Sequence, residues 1–390
     1  MSQIPEQISN NDRPQQKGNN ILKWVGILLL VYLLIAAVGM ISLGFKSVTG
    51  EGTEKLFAFA TNPFSGLIIG TLATALIQSS STVTSITVGL VAGGLPVVTA
   101  IPIIMGANIG TTITNTLVSL GHIGDKEEFK RAFAAATIHD FFNLISVVLF
   151  LPLEIIFHPL EQMGLFLAQG LVGGSSLSLK GFNLVTTVTK PVVNFFSGIT
   201  HVISPPLDGA VLILMGVALI FFSIVLMGKL LKVLMVGRAK GMLYTTIGRD
   251  PMTGIVAGTV ITILVQSSST TTSLMVPLAG SGVLGLSQIY PFTLGANMGT
   301  CITALLAATA ISGNQAVPAL EIAMIHMLYN FLGVVVIYGI PFLRQLPVIG
   351  AQKLADVASE RKYLAVVYIL GVFFVIPIIL LGLSTLTANI

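Results

Sequence analysis

Apolar stretches long enough to cross a lipid bilayer recur along the whole of this 390-residue sequence. Two clear examples run from Ile27 to Leu43 and from Val366 to Leu383, and neither contains a charged residue. The hydrocarbon core of a bilayer is about 30 Å thick, and a helix crosses it with roughly 20 apolar residues. These stretches therefore predict membrane-spanning helices.

The composition agrees with a membrane protein. Hydrophobic residues make up 54% of the chain, charged residues only 9%, and the mean hydropathy is +0.94, whereas a soluble domain has about 25% charged residues. The net charge of +4 comes from Lys and Arg in short loops between apolar stretches, which positive-inside topology explains better than nucleic-acid binding. We therefore expect the lipid bilayer, and not a nucleic acid, as a partner. The polar residues 1–20 predict a disordered cytoplasmic tail.

An internal repeat divides the chain into two halves. Residues 62–85 and 250–273 both carry the sequence QSSST, at a constant offset of 188 residues. The motifs GANIGTTIT and HDFFN follow the first copy, and GANMGTCIT and HMLYN follow the second in the same order. Such self-similarity indicates a duplicated unit. We take residues 21–205 as the first repeat half and residues 206–390 as the second.

Charge placement orients these halves in the membrane. We predict seven crossings, near residues 22–43, 101–121, 132–152, 209–228, 291–311, 319–342 and 364–384. With the N terminus inside, only four of the Lys and Arg residues fall in the outer segments, namely Lys46, Lys55, Lys180 and Lys190. The first QSSST segment then enters from outside and the second from inside, which is the inverted-repeat pattern of many secondary transporters.

The predicted fold is therefore an all-α polytopic membrane protein with two inverted-topology repeats, each with a re-entrant helical hairpin carrying QSSST. For residues 152–206 the sequence leaves open either a further pair of crossings or a surface helix.

Each QSSST segment lies where a helix entering the membrane would reach about its middle. From Pro63 to Gln78 a helix rises roughly 22 Å. Gln, Ser and Thr hydrogen-bond to nearby backbone and favour caps, so we expect the helix to break here. Irregular backbone persists at this depth only inside protein or at a cavity.

The helix that restarts after such a break offers free N–H groups and a positive dipole end, which suit an anion. The Ser hydroxyls add donors, and a tetrahedral oxyanion fits this set. The alternative is that small residues only let helices pack closely, but two copies of the same motif favour a site. The predicted anion-site residues are Gln78, Ser79, Ser80, Ser81, Gln266, Ser267, Ser268 and Ser269.

The surroundings of both segments carry almost no charge. Residues 56–124 contain no charged side chain, and residues 251–343 contain only Glu321. We therefore expect an anion bound there to lack a fixed cation, and burial of an uncompensated charge is very costly. A co-bound sodium ion would supply the charge and couple the two fluxes. The chain has no Walker A sequence, and we expect neither an enzyme nor a cofactor other than sodium as the coupling ion.

The GAN blocks add oxygen ligands of the kind that hard cations prefer. The side-chain oxygens of Asn108 and Asn297, and the hydroxyls of Thr111, Thr114, Thr300 and Thr303, suit sodium. Close helix packing is an equal alternative for the glycines of these blocks.

The third pair of blocks places a histidine and an asparagine on one helix face in each half, at positions i and i+4. The asparagines are Asn143 and Asn330, and we expect His139 and His326 to be structural hydrogen-bond donors. Asp140 has no acidic counterpart in the second half. An ionisable residue in an apolar helix is a candidate functional group, here for sodium, with a salt bridge to Lys126 or Arg131 as the alternative.

Together, the doubled QSSST, GANIGTTIT, GDKEEFKRAFAAATIHDFFN and TKP resemble the type II sodium-dependent phosphate cotransporters, over about Trp24 to Leu383. The resemblance implies a sodium-driven, electrogenic symporter of inorganic phosphate with alternating access, placed in a bacterial inner membrane. It also implies that both hairpins face one phosphate site, to which we assign Asn108 and Asn297 as well.

The same resemblance implies sodium-site roles for Asp125, Asn143, Thr300 and Thr303, and it associates electrogenic transport with Asp140. Without it, Asp125 would be read as a helix N-cap in a solvated loop. The predicted sodium set is Asp125, Asp140, Asn143, Thr111, Thr300, Thr303 and Asn330. Alternatives are a transporter of another oxyanion or small carboxylate, and a non-concentrative channel or sensor. A homodimer is compatible with the sequence.

Overall fold

The computed structural model describes residues 13–49, 62–173, 176–246 and 250–387. All regular structure within these ranges is helical. The α-helices are α1 (Arg13–Thr49), α2 (Pro63–Ile77), α3 (Ser80–Gly93), α4 (Val97–Gly110), α5 (Ile113–Ser119), α6 (Lys126–Phe157), α7 (Pro159–Gly173), α8 (Ser176–Thr200), α9 (Leu207–Thr246), α10 (Pro251–Val265), α11 (Ser268–Ser273), α12 (Met275–Gly280), α13 (Leu286–Ala308), α14 (Ala316–Gly333), α15 (Pro341–Glu360), α16 (Tyr363–Leu370) and α17 (Ile376–Thr387).

Seven helical spans in the described ranges are long and apolar enough to cross a membrane. They are Asn20–Val48, Val97–His122, Lys126–Phe157, Leu207–Leu231, Leu286–Ala308, Gly313–Tyr338 and Tyr363–Leu380. Each contains most of one predicted crossing, so the prediction of an all-α polytopic membrane protein is confirmed. The helices that flank the QSSST segments are shorter, with 15 residues in α2 and in α10.

The stretch left open by the sequence, residues 152–206, holds two further helices. Helix α6 continues to Phe157, and α7 and α8 follow it. Neither α7 nor α8 is among the seven apolar spans. Helix α7 packs against α14, and α8 against α1.

The predicted tail, residues 1–20, differs from the structure at its end. Residues 13–20 belong to α1, and residues 1–12 lie outside the described part of the chain. Extending an existing helix by one residue adds one hydrogen bond without a new nucleation cost. The apolar helix therefore extends into the polar residues that precede it.

The two halves contain the same helix pair, α2 with α4 and α10 with α13. A Cβ atom on Gly106 would lie 2.0 Å from the carbonyl oxygen of Leu67, and one on Gly295 would lie 1.9 Å from that of Ile255. Both distances are far below van der Waals contact, so only glycine fits. The GAN glycines therefore do bring backbones together, as small residues do between membrane helices.

Helix α1 packs along α9, and in the interior α4 and α13 each contact both α6 and α14. These four interior helices carry the GAN and His-x-x-x-Asn motifs of both halves. The polar residues of the motifs are thus surrounded by apolar side chains such as Phe142 and Leu294, which are almost fully buried.

Candidate functional site

The first QSSST segment breaks a helix at two residues. Gln78 ends α2 in the left-handed conformation, with φ 57° and ψ 30°, and its backbone N–H donates to the carbonyl of Thr74. Ser79 is extended and begins α3, because its Oγ accepts from the backbone N of Thr82 at 3.3 Å. Serine is among the preferred N-cap residues, and this capping bond stabilises the restart.

The second segment repeats this geometry. Gln266 is left-handed with φ 55° and ψ 27°, and Ser267 is the N-cap of α11, with its Oγ accepting from the backbone N of Thr270 at 3.2 Å. The predicted helix break is therefore present in both copies.

Both breaks lie on the wall of one cavity of about 320 Å³. Gln78 and Ser79 line it from the first half, and Gln266 and Ser267 line it from the second. These residues are 188 positions apart in the sequence, and only the tertiary structure brings them together.

Helix α9 closes the cavity and contributes Lys229 to its wall. The expectation that an anion between the QSSST segments would have no fixed cation is therefore wrong. That expectation rested on the residues flanking each motif along the chain, whereas Lys229 lies 37 positions before Gln266 and reaches the cavity because α9 packs against α10.

The other predicted serines lie behind the cavity wall. Ser80 and Ser81 in α3, and Ser268 and Ser269 in α11, are buried. Ser269 Oγ donates to the carbonyl oxygen of Thr111 at 3.2 Å, which links the second motif to the first half.

One predicted sodium residue also touches the second motif. Thr303 donates from Oγ1 to Oε1 of Gln266 at 3.0 Å. Thr303 and Thr111 thus both lie beside QSSST residues of the second half, whereas Thr300 donates to the carbonyl oxygen of Asn297 at 2.6 Å.

Four asparagines form a buried network that joins the halves. Asn108 Nδ2 donates to Asn330 Oδ1 at 2.8 Å, and Asn297 Nδ2 donates to Asn143 Oδ1 at 2.9 Å. In each pair, the GAN asparagine of one half meets the His-x-x-x-Asn asparagine of the other. Asn143 Nδ2 connects the pairs by donating to the carbonyl oxygen of Asn108 at 2.7 Å.

This network is separate from the cavity wall. Neither Asn108 nor Asn297 lines the cavity between the QSSST segments. The structure instead groups both residues, which we assigned to the phosphate site, with the predicted sodium residues Asn143 and Asn330. Amide and hydroxyl oxygens of this kind are suitable ligands for a hard cation.

His139 ends the network. Its Nε2 lies 2.8 Å from Asn297 Oδ1, and because an amide oxygen only accepts, Nε2 carries the proton. His139 is a structural donor, as we expected. Its counterpart differs, since both ring nitrogens of His326 are buried and have no hydrogen-bond partner within the described ranges.

Asp140 is buried and contacts the last membrane span. Its Oδ2 accepts from the Tyr368 hydroxyl at 3.0 Å, and its Oδ1 is buried without a hydrogen-bond partner in the part of the chain that the structure describes. The alternative salt bridges are not formed, because Lys126 pairs with Glu360 and Arg131 Nε donates to the carbonyl of Gly280.

Asp125 does not join the buried network. It is exposed, and its Oδ1 accepts from the backbone N of Glu128 at 2.9 Å, which makes it the N-cap of α6. The geometry therefore matches the cap that the sequence alone indicated.

Sequence reasoning missed two contacts. Tyr368 appeared as one of several aromatic residues in an apolar stretch, and nothing in the sequence paired it with Asp140. Asn115 lies outside the repeated motifs, yet its Nδ2 donates to Oγ1 of Thr272 in the second half at 2.9 Å. A buried amide in a predicted spanning helix was the available signal.

Comparison with known proteins gives concordant results. The sequence profile of the Na+/Pi-cotransporter family matches residues 33–169 and 219–388, so each matched segment contains one QSSST. The sodium-dependent phosphate transport protein 2B of Bos taurus is 34% identical over 450 residues, covering 93% of this chain and 65% of that protein. The human 2B protein is 33% identical over 450 residues, covering 92% and 65%.

The sodium-dependent phosphate transport protein 2A of Ovis aries is 32% identical over 441 residues, covering 95% of this chain and 69% of that protein. The chain thus spans about two thirds of the length of these relatives. No solved structure gave a significant match. Because the profile covers most of the chain in two segments and both QSSST copies fall within them, the chain belongs to the Na+/Pi-cotransporter family.

Proposed function

We propose that this integral membrane protein is a sodium-coupled symporter of inorganic phosphate that works by alternating access in a bacterial inner membrane. The observation that carries the proposal is the single cavity lined by both QSSST segments. Family membership and relatives described as sodium-dependent phosphate transport proteins support the choice of ions.

The cavity has the chemistry that a tetrahedral oxyanion requires. The hydroxyl and amide groups of Ser79, Ser267 and Gln78 offer hydrogen-bond donors, and Lys229 adds a positive charge. Hydrogen bonds between a charged group and phosphate are stronger than neutral ones. Lys229 therefore offsets part of the desolvation cost of phosphate.

Sodium binds in this proposal at the buried oxygens between the halves. The free Oδ1 of Asp140 and the side-chain oxygens of Asn143, Asn330 and Thr300 are the candidates. Coupling follows if sodium orders the asparagine network, because that network joins helices of both halves. Transport is electrogenic when the bound sodium ions carry more charge than the phosphate.

The two halves act in this scheme as inverted repeats with re-entrant QSSST hairpins. Equivalent helix pairs held by Gly106 and Gly295 support a duplicated unit. Rocking one half against the other would expose the shared cavity to each side of the membrane in turn.

The test is uptake of labelled phosphate into proteoliposomes with an inward sodium gradient. We expect concentrative uptake by the unaltered chain and near-complete loss after Ser79→Ala combined with Ser267→Ala, because these two hydroxyls line the shared cavity, one from each half. Unchanged uptake in this double variant would refute the site.

Ser281→Ala is the matched control, since Ser281 is exposed and its hydroxyl donates to carbonyls of its own turn. If unlabelled sulfate or a small carboxylate inhibits the uptake more strongly than unlabelled phosphate does, that anion would be the better candidate for the substrate. If the phosphate concentration inside the proteoliposomes never exceeds the concentration outside, the protein would instead be a channel.

A further inference from the structure

A second cavity, of about 330 Å³, lies near the C-terminal end of α1. Lys46 lines it from α1, and Lys190 lines it from α8. The polar residues Ser42, Thr189 and Asn194 contribute to the same wall. A water molecule has a share of about 30 Å³ in the liquid, so the cavity has room for an oxyanion together with several waters.

This cavity shares no lining residue with the one between the QSSST segments. Lys229 lines the first cavity and is followed by Leu230, which contacts the position of Gly26 on α1. The second cavity begins at Gly39 and extends past Leu43. At 1.5 Å per residue, Gly26, which lies at the level of Lys229, and Gly39 are roughly 20 Å apart along the helix.

Lys46 and Lys190 both line this cavity, and neither has a carboxylate partner among the described residues. The ion pairs recorded within the described ranges involve neither Lys46 nor Lys190, and none of the described residues that line the cavity is acidic. Asp208, on the neighbouring α9, accepts instead from the hydroxyl of Ser47 at 2.9 Å. Two like charges that line one cavity repel each other, and an anion bound between them would offset this repulsion.

Each lysine has a simple explanation when taken alone. Lys46 lies in the last turn of α1, where the helix dipole favours a cation, and Lys190 is an exposed residue that can reach an interface. Neither explanation accounts for their convergence on one concave site with hydroxyl and amide groups in its wall.

We propose that this cavity is a second anion site, which binds the phosphate group of an oxyanion ligand between Lys46 and Lys190. Hydroxyl and amide donors together with two ammonium groups match the acceptor oxygens of phosphate. The binding itself does not depend on transport, but a role as the entry station for the substrate rests on the proposed function. A cleft lined by charges of one sign raises the local concentration of ions of the opposite charge, and added salt screens this effect.

The experiment measures binding of inorganic phosphate to the purified full chain in detergent without sodium. Ser79→Ala and Ser267→Ala are present in every sample, so that the QSSST cavity, whose wall both serines line, contributes little. Lys46→Gln with Lys190→Gln should weaken binding about five- to tenfold, as expected for the loss of two partly exposed ion pairs.

Lys353→Gln with Lys362→Gln is the matched control, since it removes the same charge from two exposed lysines that line neither cavity. Equal phosphate affinity in the two double variants would overturn the proposal.

A second arm identifies the source of the phosphate group. Binding is repeated in bilayers of phosphatidylcholine alone and with added phosphatidylglycerol. Competition by phosphatidylglycerol that requires Lys46 and Lys190 assigns the site to a lipid headgroup, and its absence assigns the site to free phosphate. Loss of lysine dependence in both bilayers would overturn the site.

Uptake by chains with intact QSSST serines separates this proposal from the function. If the site feeds transport, the lysine double variant raises the KM for phosphate, leaves the maximal rate nearly unchanged and reduces the salt dependence of uptake. Lysine-dependent binding in a chain without sodium-driven uptake would retain the second site and refute the proposed function.

Discussion

The two QSSST segments have the same backbone and different side-chain surroundings. Gln78 and Gln266 differ by only 2° in φ, and the serine after each one caps the next helix. However, Gln266 is 7% exposed and accepts from Thr303, whereas Gln78 is exposed. Thr114, the first-half counterpart of Thr303, has a buried hydroxyl without a partner within the described ranges.

The helices that restart also differ. Helix α3 has 14 residues, whereas α11 has 6 and is followed directly by α12. The local sequence therefore specifies the helix break itself. The surrounding helices decide whether the glutamine side chain is exposed, as in Gln78, or is held by a hydrogen bond, as in Gln266. The first segment is therefore the better candidate for a movable wall, and the second for a fixed one.

The largest expected effect tests what the halves share. Gly106→Ala and Gly295→Ala each place a methyl group within 2.0 Å of a backbone carbonyl oxygen, so both should destabilise the protein by at least the roughly 1–3 kcal/mol of ordinary overpacking. Thermal unfolding in detergent measures this effect. Gly121→Ala is the control, because a Cβ there meets nothing within 4 Å. A severe effect in only one half would break the equivalence of the two helix pairs.

A smaller effect tests where the halves differ. Gln266→Ala leaves the buried Thr303 hydroxyl without its acceptor and should cost about 1 kcal/mol of stability. Gln78→Ala breaks no side-chain hydrogen bond recorded among the described residues, and it should leave the melting temperature nearly unchanged while lowering phosphate uptake. Equal losses of stability in the two variants would show that Gln78 is also held.

The smallest effect concerns the caps of the helices before each break. Asn62 caps α2 and Asp250 caps α10, and hydrogen bonds from the Thr253 side chain and backbone N–H lower the pKa of Asp250 below its ordinary value. Because the pKa of Asp250 is lower in the folded state than in the unfolded state, its charged form stabilises the folded helix at any pH above the unfolded-state pKa. This stabilisation is lost as the pH falls through the folded-state pKa.

Hydrogen exchange at the first turn of α10 should therefore accelerate in acid relative to the first turn of α2. Asp250→Asn, which copies the first half, should abolish the difference. If the difference persists in this variant, the acid sensitivity comes from another group.

Much of the fold was predictable because its signals are local. Apolar length gave the seven spans, and the preference of Ser79 and Ser267 for a cap gave the break in each half. The repeat offset of 188 residues indicated that the halves are built alike, and the paired glycines of α2 with α4 and α10 with α13 agree with that.

The candidate site was predictable only in part. Its serines and glutamines were identified from their motif, but the separation of Asn108 and Asn297 from the cavity was not. Those two residues form hydrogen bonds with Asn330 and Asn143 of the opposite half, and a motif does not record which helices pack against each other.

By itself, the sequence determined that this is a helical membrane protein with a duplicated QSSST break and few charges nearby, because length, capping and composition act within one segment. The tertiary structure alone decided that both breaks share a cavity with Lys229, that Tyr368 bonds to Asp140, and that Lys46 and Lys190 meet at a second cavity. These contacts join residues far apart along the chain, and they form only because helix packing selects which faces meet.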